Sequence, residues 1–249
     1  MILRKTPKEI DVMRRAGRVV AETLDILRDA VRPGVTTHRL DEIAEREIRA
    51  RGAIPSFKGY RGFTATICTS LNNEIVHGIP GAATLRVGDL IKLDCGAIVD
   101  GYHGDAAITV AVGEVTPEAA KLMEATERAL TAGIAEARVG NRAGDIGAAV
   151  QTIAEGAGFS VVREYVGHGV GRALHEDPPI PNYGQSGKGL KLEEGLVIAI
   201  EPMINAGGYE TRLLADGWTV VTADGSLSAH FEHTIAITAD GPEILTARH

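Results

Sequence analysis

Four acidic residues stand where a carboxylate is hardest to keep ionised. Asp94 ends the run Leu90 to Leu93, Asp105 opens the run Ala106 to Val112, and Glu201 follows Val197 to Ile200 and is fixed by Pro202. Glu232 sits in His230-Phe231-Glu232-His233 before a further apolar run. The flanking text reads as β-strand, where an unpaired carboxylate is costly to bury, so each acid calls for a cation, a metal or a place at the rim. A solvated loop is the ordinary alternative for any one of them, and it weakens as the acids recur. Gathered without cations, the four would hold protons, because close like charges raise carboxyl pKa values by several units. Two divalent ions would cancel the charge. Oxygen donors suit manganese, iron(II) or cobalt, metals that usually also take imidazole.

The histidine best placed to supply that imidazole is His168, in Gly167-His168-Gly169-Val170-Gly171, where the glycines allow close approach of backbone or ligand. His77, in Ile75-Val76-His77-Gly78-Ile79-Pro80, and His175, in Leu174-His175-Glu176-Asp177-Pro178, occupy unusual settings in which either could cap a turn. His38, His103, His233 and His249 read as surface or supporting residues, and His230 is undecided. Other chemistries find no footing. The glycine stretch 167–171 lacks the Lys-Ser/Thr of a phosphate loop. Ser186, Ser226 and Ser228 have no Gly-x-Ser-x-Gly elbow around them. Cys68 and Cys95 lie in apolar strand text and read as packed small residues.

The elements that must carry these residues follow from periodicity. Pro7 opens a helix with Ile10, Met13, Ala16, Gly17, Val20, Leu24 and Leu27 on one face, and Pro33-Gly34 stops it. Thr36 caps a second helix running to Gly52. Strands are expected at Leu90 to Val99 and Ala106 to Val112, with Asp100-Gly101 as the hairpin turn between them. Helices return at Pro117 to Ala137 and Ala143 to Ala157. Strands follow at Val161-Val162, Leu196 to Ile200, Trp218 to Thr222 and Thr234 to Ile237. The second half echoes the first: Pro33-Gly34 through Gly52 matches Val139-Gly140 through Gly158 at an offset of 106, and Gly88 to Asp94 matches Gly195 to Glu201 at an offset of 107. A glycine turn, an apolar strand and an acid, used twice, would place Asp94 and Glu201 at equivalent strand ends.

Composition sets the outer bounds. The 249 residues allow one large domain or two small ones, and 44% hydrophobic with 24% charged residues is ordinary globular composition. Thirty glycines and ten prolines favour a chain with strands over a helix bundle. The net charge of −7 disfavours nucleic-acid binding. Two cysteines make no disulfide framework, so a reducing compartment is expected. No apolar run approaches a membrane span, and Met1 to Ile10 has no signal-peptide core. The expectation is a cytoplasmic protein without nucleic-acid or membrane contact.

Taken in order, Asn72 to Pro80, Leu93-Asp94 with His103-Gly104-Asp105, Gly167 to Gly171 with His175 to Pro178, Ile200-Glu201-Pro202-Met203 and Phe231-Glu232-His233-Thr234 resemble the type I methionine aminopeptidases of peptidase family M24. The resemblance spans nearly the whole chain, with an Asp spacing of 11 and a His spacing of 7.

The resemblance implies a single catalytic domain, residues 1–249, with an α/β pita-bread fold: two pseudo-symmetric halves, about 1–113 and 114–249, around a curved antiparallel sheet covered by helices. It implies two divalent ions (cobalt, manganese or iron(II), with zinc possible), one chelated by Asp94, the other bound by His168, with Asp105 and Glu232 bridging both. Glu201 would ligate and also move protons. A bridging water activated by the ions would attack the first peptide carbonyl. His77 would hydrogen-bond the peptide nitrogen or the metal side of the substrate, and His175 the carbonyl oxygen. Tyr60, Phe63, Cys68, Leu174 and Trp218 would form the methionine pocket.

The implied activity is removal of N-terminal methionine from nascent polypeptides and peptides with a small second residue, with transient ribosome contact and a monomer as the family default. Leu174 stands where many relatives carry an aromatic residue, which would loosen one pocket wall, and His230 stands where glutamine is usual. The chain reads as a short form without an N-terminal extension. The rivals are a proline-specific dipeptidase or aminopeptidase of the same fold, for whose extra N-terminal domain the length leaves no space, and a non-catalytic binding module, which would be expected to have lost ligands.

Overall fold

The computed structural model describes residues 2–247, so His249 lies outside the described residues. Helix α1 (Pro7–Ala30) begins with a capping box: the Thr6 side chain accepts from the Glu9 N–H while the Glu9 carboxylate accepts from Thr6 N. Its apolar stripe, Met13, Ala16, Val20, Leu24 and Leu27, is buried. Helix α2 (Thr37–Ala50) is capped by Thr36 and closed by Gly52 at φ 72°. The chain then forms β1 (Ile54–Pro55), a single 3-10 turn at Tyr60–Gly62, β2 (Ile67–Leu71), β3 (Glu74–Val76), β4 (Leu90–Val99) and β5 (Tyr102–Ala111). Asp100 and Gly101, at φ 47° and 79°, make the two-residue turn between β4 and β5. The hairpin is therefore as expected, but β5 begins four residues before Ala106, since Tyr102 to Asp105 are polar or small yet pair fully with Gly96 to Val99.

The second half opens with α3 (Pro117–Glu136) and α4 (Ala143–Gly156) and continues through β6 (Ser160–Val161), β7 (Gly167–Gly169), β8 (Glu176–Ile180), β9 (Val197–Ile200) and β10 (Met203–Asn205). It ends with β11 (Thr211–Leu213), β12 (Val220–Thr222), β13 (Ser228–His230), β14 (Glu232–Thr238) and β15 (Gly241–Ile244). The expected strands at Val161-Val162 and Trp218 to Thr222 are corrected to Ser160–Val161 and Val220–Thr222. Trp218 instead joins the Asp216 turn, its N–H donating to Oδ1 at 2.9 Å. The repeat recurs as geometry. Gly34 and Gly140, Gly52 and Gly158, and Gly88 and Gly195 all take positive φ, and the bridges Thr36–Thr84 and Arg142–Lys191 stand at matching places.

One nine-stranded antiparallel sheet organises the chain, in the order β1-β4-β5-β14-β9-β7-β8, with β2 added on β4 and β15 on β14. Helices cover one face. The backbone of α1 lies directly on β5: a Cβ at Gly104 would stand 2.7 Å from Gly17 N. Gly133 of α3 packs on Val150 of α4 and on Ile200 of β9. The main apolar cluster, from Leu24 and Leu40 through Leu93 and Ile108 to Ile198 and Ile235, joins all four helices to the sheet. Burying each such side chain contributes roughly 1.5–3 kcal/mol. The opposite face is free to carry polar groups.

Candidate metal centre and pocket

Strand register brings the acids together. Asp94 pairs with Ala107, and Ala107 pairs with Glu232, so β4 and β14 present their carboxylates on one face on either side of an alanine. Asp105 lies two residues before Ala107 and shares that face. One step beyond the Ile200–His233 pair of β9 and β14 comes Glu201. His168 on β7 completes the group, with Nε2 3.6 Å from Glu201 Oε1 and 3.9 Å from Asp105 Oδ2. Ligand atoms of Asp105, His168 and Glu232 all fall within 4.8 Å of one another. His168 Nδ1 lies 2.9 Å from Gly169 O, so the proton sits on Nδ1 and the Nε2 lone pair faces the acids.

Burial raises the carboxyl pKa values. Asp94 is pushed up to about 7, and Asp105, Glu201 and Glu232 are raised well above the usual range, first by desolvation and then by one another's charge, the charge of Asp94 reaching all three. Burial likewise depresses His168 to about 3 and His77 to about 4, so both rings are neutral at pH 7. Asp94 Oδ1, Asp105 Oδ1 and Glu232 Oε1 are buried with no hydrogen-bond partner among the described residues. No lysine or arginine among the described residues pairs with the four acids; the imidazoles in reach are neutral, His168 facing Asp105 and Glu201, and His230 lying 3.8 Å from Glu201. Orphaned carboxylate oxygens converging with an imidazole lone pair are the donor set of an oxygen-rich divalent-metal site.

Beside the acids opens a cavity of about 150 Å³ lined by all five ligand candidates, His77, His175 and an apolar end. Tyr60, Phe63, Cys68, Leu174 and Trp218 are all there, so every candidate site residue lines one cavity. Phe63 meets Trp218 edge-on at 5.0 Å. His175 stacks on Tyr60 with ring centres 5.4 Å apart, and its Nδ1 is 3.0 Å from the Tyr60 hydroxyl. His77 holds φ 61°, a conformation rare outside glycine, while the following Gly78 N–H donates to Ser70 Oγ and Trp218 flanks the ring. Cys68 pairs with Asp94 across β2 and β4, and burial raises its thiol pKa, as it does for Cys95.

The structure adds to the sequence reading at three places. Phe57 and Arg61 also line the cavity; the pair Phe57 and Phe63 bracketing a Gly-Tyr-Arg-Gly turn was the available signal. Of the two readings for His103, surface or supporting, the structure shows it buried, its Nδ1 2.9 Å from Ser56 Oγ. His230 is fully buried against Glu201 but does not line the cavity. His38 is exposed.

A mixed fold with this acid-and-imidazole floor defines a metallopeptidase class, and the sequence profile described as "Metallopeptidase family M24" matches residues 11–239. The chain belongs to that family, whose members use divalent metal ions. Within it the similarity runs to methionine aminopeptidases. "Methionine aminopeptidase 1" of Bacillus subtilis (strain 168) is 56% identical over 246 residues, covering 99% of both chains. The crystal structure of methionine aminopeptidase from Rickettsia prowazekii superposes with a TM-score of 0.98 at 47% identity, covering 99% of this chain and 100% of that one. The prolidase from Pyrococcus furiosus shares the fold, with a TM-score of 0.81 at 22% identity over 99% of this chain and 66% of its own. The pita-bread architecture expected from the resemblance is the one present.

Proposed function

We propose that this chain is a methionine aminopeptidase: it hydrolyses the first peptide bond of nascent polypeptides and peptides that begin with methionine followed by a small residue. One observation carries the reading. The acid-and-imidazole floor and an apolar, aromatic-walled pocket are two ends of one cavity. A thioether side chain packs well among Phe57, Tyr60, Phe63, Leu174 and Trp218, with sulfur–aromatic contacts available.

Asp94, Asp105, His168, Glu201 and Glu232 would hold two divalent ions of the manganese, iron(II), cobalt or zinc group. Bound there, the ions supply Lewis acidity, polarising the first carbonyl and providing a nucleophilic water at neutral pH. The side chains do the rest. With the ions bound and its carboxylate ionised, Glu201 would accept the water proton and pass it to the leaving amine. The Tyr60 hydroxyl lies 3.0 Å from His175 Nδ1; in the tautomer that accepts from this hydroxyl, the ring carries its proton on Nε2 and would donate it to the carbonyl oxygen as negative charge develops there. His77, neutral and held by its own backbone, hydrogen-bonds the peptide nitrogen.

The same reading places the protein in the cytoplasm as a monomer in passing contact with the ribosome. None of the described helices is long and apolar enough to cross a membrane. The test is release of free methionine from Met-Ala-Ser by the purified chain with manganese, against Ala-Met-Ser and Xaa-Pro peptides. Methionine release from the first alone, abolished by a chelator, is expected. Cleavage of Xaa-Pro, or no turnover of Met-Ala-Ser with manganese, iron(II) or cobalt, would overturn the reading.

A further inference from the structure

Two cavity residues, Leu174 and His175, end the loop between β7 and β8, directly before Glu176. Leu174 packs among Phe57, Phe63 and Cys68 and His175 stacks on Tyr60, while the backbone that carries them is also braced from 171 residues away. The Glu176 carboxylate folds back under the loop. Its Oε1 accepts the Ala173 N–H at 3.2 Å, and its Oε2 accepts from Lys5 Nζ at 2.7 Å. The space it occupies exists because residue 171 is glycine; a Cβ there would stand 2.3 Å from Glu176 Oε1. Both side chains are sequestered, 5% and 10% exposed, which makes this the most buried lysine or arginine ion pair among the described residues.

Lys5 is itself anchored. Its N–H donates to Gly195 O at 2.6 Å, and the next residue, Thr6, caps α1. The loop's other arm is tied to the same region: the His103 N–H donates to Gly171 O at 2.9 Å, and the Arg172 guanidinium lies 4.3 Å over the Tyr102 ring, whose hydroxyl donates to Glu9. The strap before α1 thus braces the loop that carries a pocket wall and an imidazole.

We propose that Lys5 is a positioning residue for methionine removal: by holding the Glu176 carboxylate it locks loop 171–176 and so sets His175 beside the scissile bond and Leu174 against the methionine side chain. The inference rests on the peptidase reading above. Without the ammonium, the carboxylate is left uncompensated in a dry place and the loop must open to rehydrate it. Misplacement of a reacting group by about 1 Å can cost about a hundredfold in rate.

The test is steady-state turnover of Met-Ala-Ser by the manganese-loaded full chain, below the melting temperature of every variant. Lys5→Met is expected to lower kcat about ten- to a hundredfold with a smaller rise in KM, and Lys5→Arg to restore most of it. Glu176→Gln, which keeps the shape without the charge, is expected to lower kcat in the same direction and serves if Lys5→Met folds poorly. In a His175→Ala background, Lys5→Met should cost less than about threefold, because the group it positions is gone. The melting-temperature gain on adding manganese should stay as in the wild type. Wild-type kcat and KM in Lys5→Met, an undiminished cost in the His175→Ala background, or loss of the manganese gain would each overturn the proposal while wild-type activity stands. An inactive wild type would overturn the peptidase reading itself, and this proposal with it.

Discussion

Asp94 and Asp105 are diagonal neighbours on one face of the β4–β5 hairpin, Asp94 opposite Ala107 and Asp105 opposite Gly96. The small residues across from them leave room between the strands for something other than a side chain. The space beside Gly96 is already filled on one flank, since a Cβ there would stand 2.8 Å from the Phe57 ring. Two carboxylates, each with an orphaned oxygen, therefore face a common point with no lysine or arginine paired to either among the described residues. Without a cation at that point, burial and mutual charge raise both pKa values, so the pair holds protons there instead.

Asp105→Asn removes a charge from the middle of this group without changing its volume. Turnover of Met-Ala-Ser is expected to fall at least about a thousandfold, because the Lewis acidity at stake amounts to several kcal/mol. The fold is expected to persist, and the metal-free variant should melt no lower than the metal-free wild type, since a neutral amide relieves repulsion. Calorimetry beside the turnover assay checks both; near-normal turnover would remove Asp105 from the ligand set.

The pH dependence of the metal-free protein follows from the same cluster. Carboxyls in the unfolded chain titrate near about 4, whereas Asp94 is raised to about 7 and its three partners are raised as well. A group whose folded pKa is raised stabilises the fold below the unfolded pKa, and that contribution is lost as pH rises through the folded value. Metal-free protein should thus melt lower at pH 8 than at pH 5.5. Binding of a divalent ion displaces those protons, so the gain from saturating manganese should be larger at pH 8. A gain of about 3 kcal/mol at a hundredfold excess over Kd corresponds to several degrees in a chain of this size. A gain independent of pH would mean that these acids do not hold the ion.

Leu174→Ala separates binding from chemistry. Leu174 is 2% exposed and packs with Phe57, Phe63, Ala65 and Cys68 at the apolar end of the cavity. Truncation should raise KM for Met-Ala-Ser about fivefold or more while kcat stays within about threefold, because the contact is made equally in ground and transition states. The melting temperature should drop as well, by the usual cost of about 2–5 kcal/mol for a buried Leu→Ala change. A fall in kcat with KM unchanged would place Leu174 at the reacting end instead.

How far the sequence could be read depended on the range of the signal. Helices α1 to α4 and the β4–β5 hairpin were legible because each is specified locally, by a stripe of Ile10, Met13, Leu24 and Leu27 or by Asp100-Gly101 between apolar runs. Asp94 and Glu201 were legible because they close repeated glycine-strand segments, and Asp105 and Glu232 because each stands before an apolar run. Short strands such as β7, β10 and β13 were not, since three residues carry too little periodicity and their pairing partners lie far along the chain. Phe57 was missed for the same reason: its place in the cavity is set by Gly96 of β4, a contact no local pattern reveals. The buried pair Lys5–Glu176 joins two unremarkable surface-type residues, and only the fold shows that both are dry.

Gly104→Ala tests whether the helix behind the sheet sets the geometry in front of it. Along β5 successive side chains alternate faces, so Gly104 points at α1 and Asp105 at the cavity. A methyl group at Gly104 would stand 2.7 Å from Gly17 N and 2.9 Å from Ala16 C, both backbone atoms that have no rotamer to give. Either α1 lifts or β5 is pushed toward the cavity, carrying Asp105 with it. Overpacking of this kind costs roughly 1–3 kcal/mol, so the variant is expected to fold but to melt lower. If the strand moves, manganese should bind more weakly, with kcat falling in step with occupancy and recovering as the metal concentration is raised. A lowered melting temperature with wild-type manganese affinity would show that α1 yields instead, and that the position of Asp105 is fixed from the sheet alone.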